Sequence, residues 1–323
     1  MDPELADLVT AIRSHPGLLG KAAIGLVRDV LGPTDWLAGP GDDAAVVAEC
    51  GARTIVAGGE ALYPPLVAAD PFGAGVAAVL ANVNDLAAMG ARPRAILDTL
   101  IAPEPVARAV LAGIAHASAL YDVPVAGGHL TVRDGPPAVS AFGVGEAAAV
   151  LSARNVEPGL DLLLACCLDG RMHPDFPFFS SVDERGNRLA GDVRLLAEAA
   201  EAGDVVAAKD VSMAGLVGSL GMLLEWRAAG ATVDLAALPR PAGVDLARWL
   251  VCFPAYAFLL CVPAGRADAC AARFVARGLA CERIAVLDDS GLVRLRRGPD
   301  VATVLDLTAE PVTGLAGSPS AGA

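Results

Sequence analysis

The sequence predicts an α+β fold of two domains, and three observations lead to it. Its 323 residues are enough for two domains of ordinary size, each with its own core. Segments with strand-like alternation and segments with helical periodicity follow one another in mixed order, which favours α+β layers over a doubly wound parallel sheet. The sequence contains neither Gly-x-Gly-x-x-Gly nor Gly-x4-Gly-Lys-Ser/Thr, so any nucleotide site must be built differently.

The first domain is expected to span residues 1–150. It begins with a helical region at 4–31, in which Leu5, Leu8 and Ile12 have helical spacing, and this region breaks at His15-Pro16-Gly17. The other elements of this domain are predicted as strands at 44–48, 53–57, 95–100, 123–126 and 138–145, and as helices at 71–90 and 104–120.

A break in periodicity at residues 152–159 marks the start of the second domain, residues 151–313. A long polar stretch at 169–187 has few regular signals, and the Gly/Ser/Ala/Pro-rich residues 314–323 are expected to form a flexible tail. The elements are predicted as strands at 160–168, 205–209, 231–235, 256–262, 281–287 and 292–296, and as helices at 191–202, 213–229 and 266–277.

Composition excludes several classes of protein. The formal net charge of −13 and the absence of a basic run argue against nucleic acid as a partner. The most apolar stretch, residues 249–265, is short for a bilayer crossing and is interrupted by two prolines, so a buried strand with its approach loop explains it better than a membrane span. The acidic N-terminus lacks the features of a signal peptide, which predicts a cytoplasmic protein.

The seven cysteines are an odd number without a Cys-x-x-Cys pair, which favours reduced and mostly buried thiols. A metal or redox role for Cys166 and Cys167 together with His173 is the alternative.

The most specific motif is the segment Asn82-Val83-Asn84-Asp85-Leu86-Ala87-Ala88-Met89-Gly90-Ala91-Arg92-Pro93. It places Asn82 and Asp85 one turn apart in an otherwise apolar helix, where residues three apart share a face. An amide and a carboxylate on one face suit a hydrated Mg²⁺ ion or a phosphate. The alternative is that Asp85 is a solvated helix residue and Asn82 a tolerated polar position.

Three further motifs accompany it. A Gly-Pro-Gly turn delivers Asp42 and Asp43 to the mouth of a strand. The pair Gly127-Gly128 follows an apolar strand and would let backbone approach a ligand closely, with His129 directly after it. Asp210-Val211-Ser212 opens another helix rich in Ala, Leu and Met.

In this order and spacing, the four motifs resemble the superfamily of aminoimidazole ribonucleotide synthetase, thiamine-monophosphate kinase, selenophosphate synthetase and the hydrogenase-maturation carbamoyl dehydratase. The resemblance covers the chain from about Gly39 to about Arg297. It implies a two-domain PurM-like fold, in which the N-terminal domains of a homodimer pair to form a shared β-barrel. It also implies that the first domain binds ATP and Mg²⁺.

The resemblance implies roles for particular residues. Asp85, Asp210 and His129 would be catalytic, and the cofactor would contact Asn82, Gly127, Gly128, Lys209 and Ser212. The Mg²⁺ ligands would be Asp42, Asp43, Glu60, Asp85 and Asp210. Several carboxylates converging on Mg²⁺ suit phosphoryl transfer, which depends on positioning and charge neutralisation.

Each of the weaker assignments has an alternative. Glu60 stands where the kinase branch has Thr-Thr-Asp, and it could equally be a surface residue. His129 replaces the aspartate of Gly-Gly-Asp-Thr and resembles the selenophosphate synthetases, but a core histidine with a satisfied hydrogen bond would explain it too. Lys209 could reach a phosphate or simply be an exposed lysine at a strand end. Asp210 could also act as a helix N-cap.

The acceptor signatures of the named branches are mostly missing, so what remains resembles the branch related to aminoimidazole ribonucleotide synthetase whose substrate is unassigned. The function predicted is ATP- and Mg²⁺-dependent activation of a small-molecule acceptor, by a kinase reaction or by ATP-driven cyclisation or dehydration. Two alternatives remain: a catalytically inactive nucleotide-binding partner subunit, and a binding module for another phosphorylated metabolite.

Overall fold

The structure, a computed structural model, describes residues 2–32 and 41–315. The described residues divide into two compact units. The larger unit contains residues 2–32, 41–42, 151–184 and 202–315, and the smaller unit contains residues 43–150 and 185–201. Gly39, Pro40 and the predicted tail from residue 316 onward lie outside the described residues.

Residues 3–31 are mostly helical, as predicted for residues 4–31. The helices are α1 (Pro3–Arg13), α2 (Pro16–Leu19) and α3 (Gly25–Leu31), with a 3-10 turn at Gly20–Ile24 between the last two. Asp2 caps α1 by accepting a hydrogen bond from Glu4 N at 3.0 Å. The predicted break falls between α1 and α2, where Pro16 begins the second helix.

The smaller unit is a five-stranded sheet covered by helices. Its elements up to residue 150 are β1 (Ala45–Cys50), β2 (Arg53–Ala61), α4 (Pro64–Ala69), α5 (Pro71–Ala88), β3 (Ala91–Ala102), α6 (Glu104–Tyr121), β4 (Val125–Val132) and β5 (Ala138–Ala147). The strand order is β1-β2-β5-β3-β4, in which only the β3–β4 pair is parallel.

The two faces of this sheet differ. Val56, Ile96 and Ala141 are fully buried on the face that α5 covers. On the opposite face Leu97 is 38% and Phe142 45% exposed, and these two residues are cross-strand partners. The alternation of each strand therefore gives one packed face and one apolar face open to solvent.

The elements after residue 150 supply most of the larger unit. They are β6 (Asp161–Cys166), β7 (Arg171–Met172), β8 (Phe178–Ser180), α7 (Val182–Arg185), α8 (Leu189–Glu201), β9 (Ala207–Asp210), α9 (Gly215–Leu224), β10 (Gly230–Asp234), α10 (Leu246–Leu250), β11 (Phe253–Pro254), β12 (Ala257–Val262), α11 (Ala267–Val275), β13 (Ala280–Asp288), β14 (Leu292–Arg297) and β15 (Asp300–Asp306). A seven-stranded mixed sheet has the order β15-β14-β10-β13-β6-β12-β9, and a small sheet has the order β11-β8-β7.

The predicted α+β fold with two domains is confirmed, but the units depart from the ranges 1–150 and 151–313 in two places. Leu5, Leu8 and Ile12 of α1 are buried in the same core as the strands of the seven-stranded sheet, so the first helix belongs to the larger unit. Helix α8 joins the smaller unit, where Arg92 donates to Glu201 (Nη2 to Oε2, 3.1 Å).

Most predicted elements are present within a few residues of their expected bounds. Seven of the described α-helices and strands were not predicted: α4, β7, β8, α7, α10, β11 and β15. Among the described helices, none has the length and apolarity that crossing a bilayer requires.

Candidate functional site

Helix α5 is the platform of the candidate site in the smaller unit. Asp70 caps it by accepting from Gly73 N at 2.9 Å, and the helix is buried along most of its length from Ala74 to Ala88. Asn82 is 0% and Asp85 6% exposed. The alternative that Asp85 is a solvated helix residue is therefore wrong.

Asn82 keeps one polar atom without a protein partner. Its Nδ2 donates to Ala78 O at 2.9 Å, while its Oδ1 is buried and accepts no hydrogen bond within the described part of the chain. A buried amide oxygen in this state costs free energy unless a ligand or an ordered water satisfies it. It is the type of oxygen that the predicted Mg²⁺ or phosphate site requires.

The loop before β1 brings Asp43 to Asp85. Each carboxylate offers an oxygen, and these two oxygens lie within 4.8 Å of one another. Gly58 makes this approach possible, because a Cβ built there would lie 3.1 Å from Ala44 Cβ and 3.4 Å from Asp43 O. The loop thus packs closely on β2, at a position where a larger residue would press against Ala44.

The two carboxylates repel each other when both are ionised. At 4.8 Å and an effective dielectric constant of about 20, the repulsion is about 3.5 kcal/mol. A divalent cation between them would turn this cost into attraction. The donor set of two carboxylates and one amide oxygen is all oxygen, which fits Mg²⁺.

Asp42 makes different contacts from its neighbour. Its Oδ2 accepts a hydrogen bond from Ser152 Oγ at 2.6 Å, and its Oδ1 accepts one from Ala153 N at 2.7 Å. All three residues belong to the larger unit. Asp42 is half-buried, and both of its carboxylate oxygens are engaged.

Glu60 and His129 lie on exposed parts of the five-stranded sheet. Glu60 is exposed near the end of β2. His129 is exposed on the edge strand β4, where its Nε2 lies 3.1 Å from Thr131 Oγ1. The alternative of a core histidine is wrong, and the predicted catalytic and ligand roles of these two residues stay predictions.

The paired glycines have unequal surroundings. No atom lies within 4 Å of a Cβ built on Gly127, whereas a Cβ on Gly128 would lie 2.5 Å from Asp98 O and 2.6 Å from Asp98 Oδ1. Gly128 is therefore required by Asp98, whose carboxyl lies beneath it on the helix-covered face. Asp98 is 7% exposed, and burial raises the pKa of its carboxyl.

Sequence reasoning missed Asp98, although a signal was present. In the segment Ile96-Leu97-Asp98-Thr99-Leu100 the aspartate occupies an inward position of the strand alternation, between two fully buried residues. A carboxyl at such a position is unusual unless a partner or a ligand compensates for it.

The larger unit holds the other predicted site residues on β9 and the loop after it. Asp210 is the last residue of β9 and is 2% exposed. Helix α9 has Ala214 at its N-cap, so the N-cap alternative for Asp210 is wrong. Ser212 is half-buried, and its backbone N donates to Ser219 Oγ at 3.1 Å.

Lys209 is 4% exposed, which excludes the alternative of an exposed lysine at a strand end. Its charge acts on Glu225, a second carboxyl that the sequence did not single out. Burial raises the pKa of Glu225, while hydrogen bonds from Thr313 and the charge of Lys209 oppose the rise. Thr313 N donates to Glu225 Oε2 at 2.9 Å, and Thr313 Oγ1 donates to Oε1.

The cysteines fit the prediction of reduced and mostly buried thiols. Six are buried, and Cys50 is exposed. Burial raises the pKa of Cys166 and raises that of Cys261 to about 12. Thiols held protonated in this way are poor nucleophiles and poor metal ligands. His173 Nδ1 instead accepts hydrogen bonds from Asp175 N and Phe176 N, at 3.1 and 3.3 Å.

Comparison with known proteins gives matches along most of the chain. Residues 41–147 match the family model of the AIR synthase related protein, N-terminal domain, and residues 179–297 match the model of its C-terminal domain. The uncharacterized protein sll0787 of Synechocystis sp. is 34% identical over 321 residues, which cover 97% of this chain and 99% of that protein.

Two solved structures share the fold. T. maritima PurL complexed with ADP has a TM-score of 0.78 at 20% identity, over 97% of this chain and 52% of that chain. AaThiL complexed with AMPPCP and TMP has a TM-score of 0.66 at 18% identity, over 87% of this chain and 95% of that chain. The chain thus spans about half the length of the PurL chain it matches.

Proposed function

Because the chain belongs to the AIR synthase related protein family, we propose that it is an ATP- and Mg²⁺-dependent enzyme that activates a small-molecule acceptor by phosphoryl transfer. The family predicted from the four motifs is confirmed by these matches. The product would be a phosphate ester, or a compound that loses the phosphate during cyclisation or dehydration. Structures that share the fold were solved with ADP or with AMPPCP, which supports a nucleotide as ligand here.

The observation that carries the proposal is the pair Asp43 and Asp85, whose carboxylate oxygens lie within 4.8 Å of one another. Asn82, whose Oδ1 is buried, precedes Asp85 by one turn of the same helix. In the proposed site these residues hold Mg²⁺. The cation would neutralise the phosphate charges of the nucleotide. The carboxylates fix its position, and burial of α5 keeps Asp85 in place.

The remaining residues are assigned on the sequence pattern. Glu60 and Asp210 are proposed as further Mg²⁺ ligands, and Asp210 and His129 as catalytic residues. Gly127, Gly128, Lys209 and Ser212 are proposed to contact the nucleotide. Asp42 differs from the other acidic residues because both of its carboxylate oxygens accept hydrogen bonds within the larger unit.

We also propose that the smaller unit mediates a homodimer through the open face of its sheet, as the family resemblance implies. Leu97 and Phe142, which are 38% and 45% exposed, lie on that face as cross-strand partners. An apolar area of this kind on a sheet favours burial against another protein surface. Two such faces could form the shared β-barrel.

The first test is the thermal stability of the protein with ATP, ADP or AMP, each with and without Mg²⁺, alongside Asp85→Asn. A ligand at a hundredfold excess over its dissociation constant stabilises the folded state by about 2.7 kcal/mol. We expect a Mg²⁺-dependent shift with ATP that Asp85→Asn removes, because the amide keeps the shape of the side chain but not its charge.

Asp134→Asn is the matched control, since Asp134 is exposed in the same unit and should leave the shift unchanged. A shift that survives Asp85→Asn would contradict the role of that carboxylate. ATP binding without release of ADP or phosphate, with any acceptor tried, would indicate a nucleotide-binding partner subunit. Ligand preference without Mg²⁺ dependence would indicate a binding module for another phosphorylated metabolite.

A further inference from the structure

Asp42 occupies a special place in the path of the chain. It is the last residue of the larger unit before the chain enters the smaller unit at Asp43, and the chain returns to the larger unit at Leu151. Ser152 and Ala153, which donate to its two carboxylate oxygens at 2.6 and 2.7 Å, are therefore the second and third residues after the return. The side chain of Asp42 ties the departing segment to the returning one.

The returning segment is itself ordered around this contact. Ser152 Oγ also accepts a hydrogen bond from Arg154 N at 3.2 Å, and residues Ala153–Asn155 form a 3-10 turn with Ser152 as its N-cap. Asp42 thus binds to a turn that has its own internal hydrogen bonds. Because the turn is ordered by itself, it can hold the Asp42 carboxylate in a fixed position.

Asp42 and Asp43 therefore have different surroundings, although the sequence predicts both as Mg²⁺ ligands. The acidic group whose oxygens lie close together contains Asp43 and Asp85 but not Asp42. The Asp42 carboxylate is already oriented by two short hydrogen bonds to the larger unit. Groups that orient metal ligands without touching the metal commonly contribute about 10- to 100-fold to metal affinity.

We propose that Asp42 is a positioning residue, which holds the turn that presents Asp43 to a divalent cation and does not bind the cation itself. This role rests on the proposed function, because it requires a cation at Asp43 and Asp85. It predicts that Ser152, whose hydroxyl donates a hydrogen bond to Asp42, affects cation affinity in the same way as Asp42.

The test is Mn²⁺ binding to the protein without nucleotide, measured from the electron paramagnetic resonance signal of free Mn²⁺. The variants are Asp42→Asn, Ser152→Ala, their double variant, and Asp43→Asn as the ligand reference. Circular dichroism establishes that each variant is folded. Ser118→Ala is the matched control, because Ser118 Oγ donates to a backbone oxygen, that of Val123, at 2.6 Å in the smaller unit.

We expect Asp42→Asn and Ser152→Ala each to weaken Mn²⁺ binding by about tenfold, and the double variant to be no weaker than Asp42→Asn alone. Asp43→Asn should weaken binding much further, and Ser118→Ala should have no effect. Ser152→Ala supports the role even if Asp42→Asn does not fold.

Two results would overturn the role of Asp42. If Asp42→Asn abolishes Mn²⁺ binding as Asp43→Asn does while Ser152→Ala matches the control, Asp42 is a ligand. If both variants lower thermal stability but leave the Mn²⁺ affinity of the folded protein unchanged, the contact is structural only. Failure of the wild-type protein to bind Mn²⁺ would instead overturn the metal site of the proposed function, and the positioning role with it.

Discussion

Two residues other than glycine have a positive φ in the described part of the chain, Asp122 at 54° and Ala228 at 46°. Aspartate tolerates this left-handed conformation because its short polar side chain can hydrogen-bond locally, whereas alanine has no such compensation. Ala228 lies in the turn that ends α9, where Ala229 N donates to Leu224 O at 3.2 Å. This turn normally uses glycine.

Ala228→Gly should therefore stabilise the protein. The left-handed conformation costs alanine about 1–2 kcal/mol, a strain that glycine would remove. The greater conformational entropy of glycine in the unfolded chain reduces this gain by about 0.4–1 kcal/mol. We expect a net gain of about 0.5–1 kcal/mol in the free energy of unfolding, measured by denaturant titration. The same change in a helix, Ala272→Gly in α11, should destabilise by about 0.5–1 kcal/mol, and a loss at both sites would contradict the argument.

For individual residues, the sequence identified the side chains with unusual chemistry, but it did not predict the contacts that these side chains make. Asp85 stands out because its helix is otherwise apolar, and the structure buries that helix. The hydrogen bonds of Asp42 to Ser152 and Ala153 could not be predicted, because residues 110 or more positions apart meet only through the path of the whole chain.

Helix α8 belongs to the smaller unit, and a buried ion pair orders the segment around it. Arg185 Nε donates to Asp192 Oδ2 at 2.7 Å, and the two side chains are 1% and 0% exposed. The ion pair also affects Tyr121 at the end of α6. Burial raises the pKa of the Tyr121 hydroxyl, and the charge of Asp192 raises it further. The segment is thus fixed by charges that water does not screen.

Asp192→Asn should destabilise the protein by about 3–5 kcal/mol, because it removes the carboxylate charge that faces the buried guanidinium of Arg185. The double variant Arg185→Met/Asp192→Leu should recover most of this loss in denaturant unfolding. The exposed pair of Arg171 and Asp183, at 68% and 62%, provides the control, since Asp183→Asn should change stability by less than about 1 kcal/mol. Equal losses at the two pairs would contradict the role of burial.

The segment before β9 carries a carboxylate that makes stability depend on pH. Asp204 is 3% exposed and accepts hydrogen bonds from Arg266 Nη1 and Arg273 Nε, both at 2.8 Å. Burial alone would raise the pKa of Asp204, but the two arginines outweigh it and lower the pKa below its usual value. The folded state therefore keeps this carboxylate ionised at lower pH than the unfolded chain does.

The stability that Asp204 contributes should be complete above the unfolded pKa of about 3.9, and it should be lost as pH falls through the lower native pKa. Asp204→Asn should be less stable at neutral pH and should lose less stability between neutral and strongly acidic pH, in unfolding titrations at several pH values. Asp268→Asn, at an exposed position on α11, should keep the wild-type slope. An unchanged slope in Asp204→Asn would refute this assignment.

Two of the elements that were not predicted, β15 and α10, nevertheless have recognisable signals in the sequence. Strand β15 alternates in the sequence Asp-Val-Ala-Thr-Val-Leu-Asp and follows β14 after Gly298, whose φ is 58°, so a hairpin could have been predicted. Helix α10 has Asp245 as its N-cap, which accepts from Arg248 N at 3.1 Å. Turn and cap chemistry, rather than hydrophobic periodicity, therefore indicate these two elements.

The whole molecule is proposed to be a homodimer, and the exposed sheet face offers a test. Leu97→Lys places a charge in the centre of that face and should produce monomers in analytical ultracentrifugation. Leu111→Lys is the matched control, since Leu111 on α6 is 37% exposed against 38% for Leu97, and it should leave the dimer intact. A wild-type monomer, or a dimer that tolerates Leu97→Lys, would contradict the proposed interface.

The two-domain α+β class could be predicted because periodicity reports the type and order of elements. The membership of the units could not, because periodicity does not tell which core buries an apolar face. Leu5, Leu8 and Ile12 of α1 form an ordinary amphipathic pattern, and only the structure shows that they join the core of the seven-stranded sheet.

This membership has a consequence for synthesis on the ribosome. Helix α1 shares its core with Val304 of β15, so α1 is synthesised long before this strand can help to cover its apolar face. The smaller unit likewise lacks α8 until residue 201 has been made. At about 5–20 residues per second, the nascent chain holds both apolar faces open for many seconds, a period in which chaperones can bind it.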